Sequence, residues 1–69
     1  MKFRVVLQQG EDGYSVAECP ALPGCVSQGR TEAKALANIR EAIQGILAVR
    51  RKLGLPIPRE EVVEVEVPA

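Results

Sequence analysis

Sixty-nine residues make one small domain, near the lower limit for a self-sufficient core. An apolar fraction of 46% argues against disorder, and nine basic residues balanced by nine acidic ones argue against general attraction to nucleic acid or anionic membrane. No apolar run approaches the roughly 18 residues of a membrane span, and the opening MKFRVVLQQG lacks a signal-peptide cleavage site, so a cytoplasmic chain with reduced thiols is expected. The small core and the near-zero charge both favour self-association, as a homodimer or a higher oligomer.

Residues 2–8 alternate, with Phe3, Val5 and Leu7 on one face and Arg4, Val6 and Gln8 on the other, which is the period of a strand. Asp12-Gly13 is a hairpin signal, so YSVAEC returns as an antiparallel second strand. PALPG cannot continue it, because each proline removes a ladder donor. CVSQG reads as a third strand. Thr31 is placed to cap a helix over residues 32–52, with Leu36, Ile39, Ile43, Ile46 and Leu47 in one stripe and Ala35 and Ala42 on its edge. Arg50, Arg51 and Lys52 suit the negative end of its dipole, Gly54 stops it, and Pro56 cannot prolong it. After LPIPR, EEVVEVEV alternates and reads as a half-buried fourth strand, with Val63, Val65 and Val67 toward the helix and Val62, Glu64 and Glu66 away from it.

The expected fold is α+β, in the order β-β-β-α-β: a single four-stranded sheet with one helix packed on one face. All 69 residues form one domain, and no C-terminal DNA-binding domain is expected. A helix of this length rises roughly 1.5 Å per residue and should outrun the strands, so that Arg50 lies past the edge of the core.

The chemistry is sparse. Without histidine there is no imidazole base and no imidazole metal ligand. Cys19 and Cys25 alone do not complete a four-ligand zinc site, and their spacing is not C-x-x-C. They read as two small buried hydrophobes, with a cross-strand disulfide as the alternative. The glycines of ALPGCVSQGRT lack both the phosphate-loop lysine and the dinucleotide spacing, and serve turns. Glu60, Glu61, Glu64 and Glu66 read as a solvated or protected edge. Arg50, Arg51, Lys52 and Arg59 have no aromatic beside them to stack on a base. No catalytic residue, metal or cofactor is therefore assigned. Gly45 stands out, because a glycine inside a helix costs about 1 kcal/mol relative to alanine; it reads equally as neutral drift or as room for close approach of a second protein.

Four stretches carry a resemblance across nearly the whole chain: FRVVLQ, EDGYSVAECPALPGCVSQGRT, EAKALANIREAI and GLPIP. In these the chain resembles the HicB-like antitoxins, the antidote halves of bacterial and archaeal toxin–antitoxin pairs. The resemblance implies a partial ribonuclease-H-like fold. It also implies binding to a small HicA-like toxin, of double-stranded-RNA-binding type, that cleaves messenger RNA. Many such antitoxins carry an added DNA-binding domain; this chain stops at Ala69, and direct DNA binding is not expected of it. Active ribonuclease-H-like enzymes need a carboxylate on the first strand, and KFRVVLQ has none, which points to a fold kept for binding.

The expected function is a protein-interaction module, an antitoxin or a relative of one. The partner-binding candidates are Pro20, Leu22, Pro23, Gly24 and Gly45. The self-association candidates are Val6, Val62, Glu64 and Glu66. Two alternatives accompany it: a metal-dependent nuclease using Glu18 and the C-terminal glutamates, and a nucleic-acid binder using Arg50, Arg51, Lys52 and Arg59.

Overall fold

The computed structural model describes residues 1–59 and 63–68. Three strands, β1 (Val6–Gln9), β2 (Ser15–Glu18) and β3 (Val26–Gly29), precede one helix, α1 (Glu32–Leu53). The strands form one antiparallel sheet in the order β1-β2-β3. The architecture is thus α+β, with a three-stranded sheet and one helix.

Local chemistry explains each boundary. Asp12 (φ 59°) and Gly13 (φ 78°) both take positive φ between β1 and β2, as a tight hairpin turn requires. The Tyr14 amide donates to the Glu11 carbonyl across that turn. At the start of α1, the Thr31 hydroxyl accepts from the Lys34 amide at 3.1 Å. At its end Gly54 turns left-handed at φ 71°, and the Leu55 amide donates to the Arg50 carbonyl at 2.8 Å.

The register defines the two sheet faces. Leu7 lies opposite Ala17, and Ala17 opposite Ser27. Ser15 and Ala17 are buried beneath the helix, so Leu7 and Gln9 share that side. Val6, Gln8, Val16, Glu18, Val26 and Gln28 occupy the open side. The assignment of Phe3, Val5 and Leu7 to one face holds, and Phe3 and Val5 pack against the core although β1 itself begins only at Val6.

The core joins Ala17, Cys19, Leu22 and Cys25 to Ala35 and Ile39 of the helix. Ala35 is fully buried, and the centre of the helix face is therefore displaced toward the residue expected at its edge. Leu36, assigned to the stripe, is 42% exposed. Gly29 explains the displacement: a Cβ there would lie 2.6 Å from the Ala35 backbone nitrogen. Only a bare backbone lets the first helical turn settle so low on β3. Arg30 stacks over the Tyr14 ring at 5.3 Å and ties the hairpin to the turn before the helix.

The fourth strand is corrected. Residues 63–68 form no strand, and Val63, Val65 and Val67 are 72%, 77% and 74% exposed rather than half buried. Alternation specifies two faces of a segment, but burial of either needs a neighbour. Val62, expected on the outward face, lies outside the described residues, as do Glu60 and Glu61. No described helix is long and apolar enough to cross a membrane.

Candidate protein-interaction surface

The CPALPGC loop is built as a backbone staple. The Cys19 amide donates to the Cys25 carbonyl at 3.0 Å, continuing the β2–β3 ladder across the loop mouth. Within the loop, Leu22 donates to Cys19 and Cys25 donates to Leu22, both at 3.1 Å. Gly24 takes φ 77° to close it. These bonds drive Leu22 inward, where it is 1% exposed. Leu22 is therefore a core residue and not a partner contact, contrary to expectation: a leucine between two prolines looks exposed until the turn direction is known. Pro20, Pro23 and Gly24 remain on the outside.

Cys19 and Cys25 are buried free thiols. Burial pushes the Cys25 thiol above its ordinary value, and the neighbouring Cys19 adds to the rise. Cys25 thus stays protonated near neutrality and is a poor nucleophile or metal ligand in that form. Among the described residues, no group of three acidic or cysteine side chains could hold a metal ion.

Beside this loop runs an apolar groove. Gly24, Cys25 and Val26 form one wall, Ala42, Gly45, Ile46 and Val49 the other, and Leu55 closes the end with Arg50. The helical wall follows the i, i+3, i+4, i+7 spacing of a single face. Val26, Val49 and Leu55 are each about half exposed, at 52%, 56% and 49%. Apart from its chain neighbours and the adjoining helix backbone, no atom lies within 4 Å of the place a Gly45 Cβ would occupy, so the glycine leaves the groove floor open. The Arg50 guanidinium folds onto the Pro56 carbonyl at 3.0 Å, which braces the linker at the groove end and withdraws that cation from the basic helix terminus.

The structure therefore brings Gly24 and Gly45 together in one groove, while Pro20 and Pro23 lie outside its lining. Val26, Ala42, Ile46, Val49 and Leu55 were missed as a surface. The spacing of Ala42, Gly45, Ile46 and Val49 was the available signal, but it merges with the core stripe on a helical wheel.

The remaining candidates fall elsewhere. Val6 lies on the open face of β1 and is 36% exposed. Glu64 and Glu66 flank Val65 on a separate, shallow depression. Glu18, aligned with Val6 and Val26 on the open sheet face, does not line that depression. Arg59 sits with Met1, Lys2, Phe3 and Arg4, apart from the residues lining the apolar groove.

A UPF0150 protein of Thermoplasma acidophilum is 45% identical to this chain over 69 residues, which is the full length of both. The chain belongs to the UPF0150 family. A UPF0150 protein of Archaeoglobus fulgidus is 38% identical over 53 residues, covering 77% of each chain. A UPF0150 relative in Synechocystis is 38% identical over 61 residues, covering 88% of this chain and 77% of its own. No protein-family model and no solved structure matches this UPF0150 chain.

Proposed function

We propose that this UPF0150 chain is a protein-interaction module of HicB-like type, an antitoxin or antitoxin relative that docks on a small mRNA-cleaving toxin and neutralises it. On this reading its sheet and helix are part of a ribonuclease-H-like fold retained for binding, and the molecule also associates with copies of itself. The supporting observation is the groove between the CPALPGC loop and one face of α1, which Gly24 and an unobstructed Gly45 both line. Half-exposed valines and a leucine at its rim offer apolar area worth about 25 cal/mol per Å2 when a partner covers it.

Docking of this kind inhibits by occlusion and needs no reacting group on the antitoxin. The partner to test is a HicA-like toxin, a small basic protein with one catalytic histidine. Stoichiometric amounts of the chain are expected to stop its cleavage of messenger RNA. Gly45→Arg fills the groove and is expected to restore cleavage. Undiminished cleavage in the presence of a large excess of the unaltered chain ends the antitoxin reading.

A further inference from the structure

The two outer edges of the sheet differ. At β3, the Cys19–Cys25 hydrogen bond sets the alternation, which turns the Gln28 carbonyl outward. The helix covers that carbonyl, since the Asn38 side-chain amide donates to it at 2.8 Å. At β1, the Gly10 amide donates to the Tyr14 carbonyl, and the same alternation turns the main-chain groups of Leu7 and Gln9 outward. Among the described residues no strand lies beyond them.

A groove runs beside this open edge, under the helix. Phe3 and Val5 line it from the sheet side, and Leu36, Ile39, Ile43 and Leu47 from the helix, with the polar side chains of Arg40 and Gln44 on the same helical wall. An open strand edge beside a channel with apolar side chains along it is the template that an added strand uses: main-chain bonds along the edge, alternate side chains into the channel. One segment of this chain has the matching form. Val63, Val65 and Val67 alternate with Glu64 and Glu66, and all three valines project into solvent.

We infer that residues 63–67 of one copy add to β1 of a second copy, reciprocally, forming a closed two-fold dimer. Val63, Val65 and Val67 then enter the channel beside Val5 and Leu36. Glu64 and Glu66 lie on the open side, the side to which alternation assigns Arg4. Within the protomer the tail does not return to the sheet, since no strand pairs with the outer edge of β1 among the described residues and Val63, Val65 and Val67 stay exposed. Pro56 and Pro58 stiffen Leu55–Arg59 into an extended spacer, and the Arg50 guanidinium anchors its start through the Pro56 carbonyl. A chain that holds a strand-shaped opening and an unpaired strand satisfies both by exchanging them across a symmetry axis. This deepens the self-association within the proposed function, and it is tested without any toxin, so neither result decides the other.

The test uses the unaltered full chain. Light scattering on a sizing column is expected to give twice the 7.5 kDa of one chain. An equal mixture of 15N-labelled and 13C-labelled chains, unfolded and refolded together, is expected to give isotope-filtered contacts between Leu7 of one copy and Val65 of the other. Val65→Lys is expected to raise the dimer dissociation constant about tenfold, about 1.4 kcal/mol, because it forces a second cation into the channel that Arg40 already lines. A single-chain mass at high micromolar concentration overturns the inference. So does a dimer whose Leu7–Val65 contacts arise only within one chain, since the tail then folds onto its own β1.

Discussion

Gly29 and Ala35 touch through their backbones: a methyl group placed on Gly29 would stand 2.6 Å from the Ala35 nitrogen and 2.8 Å from the Lys34 carbonyl carbon. The obstructing atoms belong to the helix main chain, which cannot rotate aside as a side chain can. Gly29→Ala is therefore expected to lift the first helical turn off β3 and to destabilise the chain by about 1–3 kcal/mol, the usual range for overpacking. Chemical denaturation followed by circular dichroism measures it; an unchanged midpoint contradicts the contact.

Leu22 gives the second prediction. It is the largest of the side chains that are almost wholly enclosed, and it plugs the core from the CPALPGC loop. Leu22→Ala should cost about 2–5 kcal/mol, enough in a chain this small to lower the thermal midpoint severely. Pro23→Ala, at an exposed position, should leave the midpoint nearly unchanged. Similar losses for the two variants would mean that Leu22 is not inside.

Cys25 makes stability depend on alkaline pH. Its thiol, raised by burial and by Cys19 above the ordinary 9.0, keeps its proton in the folded chain at a pH where the unfolded chain has lost it. Its contribution is thus complete below pH 9 and is lost as pH rises from there through the folded value. Urea midpoints taken at about pH 8 and about pH 10 should fall with pH. The fall should be smaller in Cys25→Ala, and an identical fall in both removes Cys25 as the cause.

Gly45 separates stability from binding. Open space surrounds the position, and the residue lies inside α1. Gly45→Ala should therefore stabilise the chain by about 1 kcal/mol through helix propensity alone. Thermal unfolding measures this directly. A loss of stability instead would show that the glycine meets a neighbour within the protomer.

Several features were legible in the sequence because their causes are local. Thr31 caps the helix through its own hydroxyl, Gly54 ends it by taking a left-handed φ, and Asp12-Gly13 turns the hairpin, all within a few bonds. The strand alternation also survived, since it needs only the pleat: Phe3, Val5 and Leu7 do share a face. The interaction groove was half legible. Gly24 and Gly45 were each conspicuous, but their place in one groove was not, because 20 intervening residues include a strand and half the helix.

The sequence by itself determined the first hairpin, the three strands that precede the helix and the start and end of that helix, because capping groups, turn residues and side-chain period act over a few residues. Only the tertiary structure decided that Leu22 points inward, that Ala35 rather than Leu36 is fully enclosed, and that Val63, Val65 and Val67 stand in solvent. The physical reason is the same in each case. Apolar character states that a side chain gains by leaving water, but the surface that removes it from water is supplied by a distant part of the fold, or by another molecule.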